Sequence, residues 1–178
     1  MNTKQSLQRF EETANKYLQE LESLDMEQLT HKPDEDEWSL GQMYMHLINS
    51  ALYMQLRNVE ACTRQETDNV TEAAEKTPAG KAVFAQSSFP PIRIQVPPSK
   101  EYTPLQPENK EQISEGLKQV IHRMREIEPG LDEASPVHTV PHPRFGALNA
   151  KEWYSLVEMH YHHHLLQMAR LKEFLQVI

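Results

Sequence analysis

A chain of 178 residues suits one domain, and a formal net charge of -8 leaves no basic surface with which to neutralise a phosphate backbone. Its 18 Lys and Arg are scattered rather than striped, and no apolar run approaches the roughly 20 residues that cross a bilayer. Nucleic acid and membrane are thereby excluded as partners. Only 5 glycines are present, Met, Leu, Glu and Gln are abundant, and β-branched residues form no set of alternating runs, so an all-α fold is expected.

The first helix is predicted over about residues 3–25, because Phe10, Ala14, Tyr17, Leu21 and Leu24 recur at helical spacing. After the polar turn HKPDEDE, Ser39 followed three residues later by Gln42 forms a capping box, flanked by Trp38 and Met43 as a hydrophobic staple. Helix two is predicted from Ser39 to about residue 65, with Leu40, Met43, His46, Leu47, Ser50, Ala51 and Met54 facing inward.

Between Thr77 and Pro107 lie seven of the twelve prolines, and the missing amide donors predict that no regular helix persists there. Ile92, Ile94 and Val96 alternate as a short extended piece, and the whole stretch is expected to lie on the bundle as an ordered flap. Pro107 is placed as the first residue of helix three, whose stripe runs from Ile113 through Leu117, Val120, Ile121, Met124 and Ile127 to a stop at Pro129-Gly130. SPVHTVPHPRFG then reads as a loop. Asn149 and Glu152, with Leu148 and Trp153 as staple, start helix four, which runs to the C-terminus. Four helices in one domain spanning 1–178 are expected.

Nine histidines are present, and four of them fall in His160-Tyr161-His162-His163-His164. At 100° per residue His164 lies about 40° from His160 and one turn beyond it, so both imidazoles can reach one ion. His162 falls nearly opposite and is expected in solvent, while His163 sits about 60° to the other side, a possible substitute ligand. His46, inward on helix two, supplies the third imidazole. Three neutral nitrogens in an apolar seam suit Zn²⁺ or Ni²⁺ and leave coordination positions open for water or substrate, the arrangement of a catalytic rather than a structural site.

His142 is a candidate fourth histidine, and Trp38, Trp153, Tyr44 and Phe145 are candidate pocket residues. No carboxylate is expected on an inward face, Glu158 lying off the stripe. The lone Cys62 is read as an ordinary helix residue, and the start MNTKQSLQRF carries no apolar leader, so a reducing, cytoplasmic compartment is expected.

Three segments resemble the DinB/YfiT-like superfamily: Trp38-Ser39-Leu40-Gly41-Gln42 with His46-Leu47, His142-Pro143-Arg144-Phe145-Gly146-Ala147-Leu148-Asn149 with Glu152-Trp153, and His160-x-x-x-His164-Leu165-x-Gln167. The resemblance implies an antiparallel up-down four-helix bundle with a long, proline-rich second connection, a metal triad of His46, His160 and His164, and a homodimer. It also implies a metal-dependent enzyme, either a hydrolase or a transferase acting with a low-molecular-weight thiol on a small-molecule substrate. The other expectation is a non-catalytic bundle that binds a metal or small ligand, with a stress-related role.

Overall fold

The computed structural model describes residues 2–64, 70–72, 74–91 and 103–177. Helix α1 (Thr3–Glu22) starts under an Asn2 cap, and a short α2 (Met26–Thr30) follows under an Asp25/Gln28 capping box. Helix α3 (Leu40–Ser50) begins at the predicted Ser39 cap: Ser39 Oγ accepts from the Gln42 amide at 3.1 Å, and Gln42 Oε1 accepts from the Ser39 amide at 3.0 Å. It passes through a π turn at Ala51–Gln55 and continues as α4 (Leu56–Arg64), so helix two forms with a widened turn inside it. Helix α7 (Ala150–Phe174) starts at the expected Asn149/Glu152 capping box.

Four expectations are corrected. Thr77–Pro107 does hold a regular helix, α5 (Pro78–Gln86), because Pro78 sits in the first turn, where its missing donor costs nothing, and Thr77 caps the Gly80 amide at 3.1 Å. Helix three, α6 (Lys110–Ile127), starts under an Asn109 cap rather than at Pro107, which packs instead against Gly41 of α3. The helix passes Pro129-Gly130 as a short 3-10 turn, Glu128–Glu133. SPVHTVPHPRFG is not a plain loop: β2 (His138–His142) and β3 (Gly146–Asn149) form an antiparallel hairpin, joined by β1 (Thr71–Glu72) on the other side of β2. The alternating piece Ile92, Ile94 and Val96 lies outside the described residues.

α1 packs on α7 and α6, and α3 packs on α6 and α7, so the four long helical segments share one core. Phe10, Tyr17, Met43, Leu47, Ile113, Leu117, Trp153 and Val157 are fully enclosed there. No helix among the described residues is long and apolar enough to cross a membrane. The first half of α7 is buried almost all round, Tyr154, Ser155, Glu158, Met159 and Tyr161 joining the expected stripe. α7 is therefore the central helix, and its amphipathic pattern is weak for that reason.

Three tyrosines link this core. Tyr17 donates to the Tyr161 carbonyl at 3.0 Å and Tyr44 to the Tyr17 carbonyl at 2.9 Å, while the buried Tyr161 hydroxyl has no partner among the described residues. Its ring is held edge-on by Phe10 and Tyr17, with centroids 5.0 and 5.8 Å away. Removing an unpaired buried hydroxyl relieves its desolvation penalty, so Tyr161→Phe is expected to leave stability unchanged or raise it by about 1 kcal/mol in a urea titration. A loss of 2 kcal/mol or more would mean that the hydroxyl is hydrogen-bonded.

Close backbone contacts pin the hairpin to α5. A Cβ on Gly80 would overlap the Phe145 carbonyl oxygen, and Thr77 Oγ1 donates to the Arg144 carbonyl at 2.7 Å. Gly146 has φ +74°, and a Cβ there would meet the Glu75 oxygen and the Thr77 nitrogen at 2.7 Å. Gly146→Ala combines left-handed backbone strain with backbone overlap, and is expected to cost about 2–4 kcal/mol, read as a fall in Tm of roughly 5–15 °C.

Candidate metal centre

Two elements bring the histidines together: α3 carries His46 and α7 carries His160 and His164 one turn apart. His160 Nε2 lies 3.0 Å from His46 Nε2 and 3.1 Å from His164 Nε2. Among the described residues these three are the one group of His, Cys, Asp or Glu side chains whose donor atoms all lie within 4.8 Å of one another.

The other face of each ring meets an uncharged side chain. His164 Nδ1 donates to Gln167 Oε1 at 2.7 Å, Ser50 Oγ lies 3.5 Å from His46 Nδ1, and Gln55 Nε2 lies 3.4 Å from His160 Nδ1. Gln167 Oε1 can only accept, so the His164 proton sits on Nδ1 and the Nε2 lone pair faces the cluster. Burial, reinforced by the neighbouring imidazoles, holds His46 at a pKa of about 3 and His160 well below the ordinary imidazole value. Burial likewise lowers His164 to about 4, against the opposing hydrogen bond from Gln167. All three are neutral near pH 7.

This donor set fits a divalent ion. Nitrogens about 2.0–2.1 Å from one centre and 90–110° apart are separated by about 2.9–3.4 Å, and the two measured spacings, 3.0 and 3.1 Å, fall in that range.

Aromatic rings surround the cluster. Trp38 packs on His46 with centroids 4.9 Å apart, and Phe89, just beyond α5, stands 5.5 Å from His163 and 6.5 Å from His160. Phe89 in turn stacks on Phe145 at 5.7 Å. His163 touches His164 edge-on but stays outside the triad, and His162 is exposed, as its helical angle predicts. His142 does not join either: its Nδ1 accepts from the Arg144 and Phe145 amides at 3.1 and 3.3 Å, and its ring stacks on Phe145.

Trp153 and Tyr44 are core residues, their polar atoms given to the Val140 and Tyr17 carbonyls. Cys62 is buried, its thiol pushed up to about 11 mainly by burial, and donates weakly to the Leu148 carbonyl. Glu158 is a correction: it is a buried carboxylate, 6% exposed and 3.4 Å from Arg9, and burial raises its pKa. The contact with α1 covers what the α7 stripe alone would leave in solvent. Gln55 and Phe89 were missed as site residues, since neither a π turn nor the path beyond α5 leaves a periodic signal.

Helical architecture and a three-histidine cluster define a class of bundle proteins built around an inward imidazole site. The chain belongs to the DinB superfamily, whose family model matches residues 9–168. Among solved structures it is similar to TT2238, described as a four-helix bundle protein, at 18% identity and a TM-score of 0.58, covering 94% of this chain and 98% of that one. It is also similar to YfiT from Bacillus subtilis, described as "a probable metal-dependent hydrolase with an unusual four-helix bundle topology", at 16% identity and a TM-score of 0.62, covering 99% of this chain and 89% of that one. At these identities the likeness shows the four-helix bundle fold. No curated protein matches the chain significantly.

Proposed function

We propose that this protein is a metal-dependent enzyme, a hydrolase or a thiol-dependent transferase, with His46, His160 and His164 holding one Zn²⁺ or Ni²⁺. The observation that carries the reading is the convergence of three neutral Nε2 atoms at 3.0–3.1 Å steps, with Gln167 fixing the His164 tautomer from behind. With no fourth donor in the cluster among the described residues, coordination positions stay free for a substrate atom. A divalent ion there supplies Lewis-acid chemistry that makes a nucleophile of water or of a low-molecular-weight thiol near neutral pH. The chain's own part is to hold three uncharged ligands in register and to keep Trp38 and Phe89 against them as an apolar surround.

The description of YfiT supports hydrolysis, and the uncharged ligand set suits a thiolate equally. The same reading takes 1–178 as one cytoplasmic domain, an up-down bundle with a long, proline-rich second connection. It acts as a homodimer on a small-molecule substrate, apart from nucleic acid and membrane. Metal quantification of untagged protein purified without chelator, followed by ester, amide and thiol-transfer assays on the loaded form, tests it. Turnover lost on chelation and restored by metal supports the enzyme. A protein that binds metal and turns over none of these substrates is a non-catalytic metal-binding bundle, and one that refuses both ions overturns the metal site.

A further inference from the structure

Gln55 is buried, and among the described residues its Nε2 lies 3.4 Å from His160 Nδ1 while its Oε1 has no partner. A buried amide is costly unless it is hydrogen-bonded, so its presence here calls for a reason beyond packing.

The backbone shows how it arrives. In a straight α-helix the nine residues from His46 to Gln55 sweep about 900°, which would put Gln55 roughly opposite His46, away from the α3/α7 seam. The π turn at Ala51–Gln55, closed by the Leu56 amide on the Ala51 carbonyl, takes up about one extra residue and so swings Gln55 back by roughly 100°. The distortion ends on the residue that reaches His160.

A ring that binds an ion through Nε2 must carry its proton on Nδ1, so the group facing Nδ1 must accept. The two ends of an amide are exchanged by a half turn about one bond. Gln167 already holds its Oε1 against His164 Nδ1 in this way.

Resting on the metal reading above, we propose that Gln55 is a positioning residue for the metal site: delivered by the π turn, its amide turns end for end when an ion binds, so that Oε1 in place of Nε2 faces His160 Nδ1, accepts its proton and aims the ring's Nε2 at the ion. His46, His160 and His164 are thus oriented by Ser50, Gln55 and Gln167, a shell without charge, which leaves the positive charge of the ion uncompensated for whatever occupies the open positions.

The test compares wild type, Gln55→Leu and Gln55→Glu, with Gln55→Met in place of the leucine variant should that not fold. Zn²⁺ affinity is measured by competition with a chromophoric chelator, ligand geometry by the visible spectrum of the Co²⁺ form, and fold by the melt of the metal-free protein. Gln55→Leu is expected to bind Zn²⁺ 10–100-fold more weakly and to alter the Co²⁺ spectrum, with a metal-free melt equal to or above wild type. Gln55→Glu, which keeps an acceptor in place, is expected to restore the affinity. Wild-type affinity in Gln55→Leu, or an equal loss in both variants, overturns the positioning role and leaves the metal site standing. A wild type that binds neither Zn²⁺ nor Co²⁺ overturns both.

Discussion

His160→Ala is expected to take bound Zn²⁺ or Ni²⁺ from about one ion per chain to a level lost on a desalting column, without unfolding the protein. His160 is the centre of the cluster, within 3.1 Å of both other Nε2 atoms, so its loss leaves two nitrogens on different helices with no ring between them. That loss exceeds the 10–100-fold expected when an orienting group behind a ligand is removed. His46→Ala and His164→Ala are expected to follow it, whereas His142→Ala and His163→Ala keep the ion, because neither side chain is in the cluster. The metal-free variants are expected to melt within a few degrees of metal-free wild type. Elemental analysis beside thermal melts checks all five. Retention of a full equivalent by His160→Ala would place the ion elsewhere, and a loss in His163→Ala would enlarge the ligand set.

The metal-free protein is expected to lose stability steeply between pH 7 and 5. An unfolded imidazole titrates near 6.5, whereas burial holds His46 at about 3 and His164 at about 4, with His160 also well below its ordinary value. Between those lower values and 6.5 the unfolded chain binds more protons than the folded one. Stability from these groups is therefore complete above 6.5 and is lost as the pH falls. At pH 5 one such group has given up about 2 kcal/mol, and coupling among neighbours keeps the sum below a simple multiple. A fall in Tm of roughly 5–15 °C follows for a chain of this length. Glu158 works in the opposite sense, since its raised carboxyl pKa favours the fold on acidification and softens the loss. Melts of chelated protein across this range check the sign. A flat profile would mean that the three rings are not held neutral.

Local chemistry was the part legible in the amino-acid sequence. Ser39/Gln42 and Asn149/Glu152 are reciprocal hydrogen bonds closed within four residues, so their partners can be read without knowing the fold. His160 and His164 share a helix, and His46 declared itself by sitting among core residues, so the cluster followed from helical angles. What stayed hidden depends on partners distant along the chain. β2 and β3 are held as much by α5 and by the Glu75–Thr77 backbone as by their own short apolar pattern. Glu158 is buried because α1 and Arg9 cover it. Prolines were weighed as breakers in 77–107, yet Pro78 occupies the one turn of a helix that has no use for its donor. Gln55 required a change of helical pitch that composition does not announce.

The three histidines stand on α3 and α7, but Phe89, the ring that lies against His160 and His163, hangs from the short α5, which is held by Val83 in the core and by a few backbone bonds to the hairpin: Thr77 to Phe145 and Ala147 to Glu75. Such a peripheral unit opens at a lower free energy than the bundle beneath it. If the three histidines hold an ion, its exchange is expected to follow detachment of this unit rather than global unfolding. Its rate should track hydrogen exchange of the Thr77 and Ala147 amides, and Gly146→Ala should quicken both while the amides of the helix core stay protected.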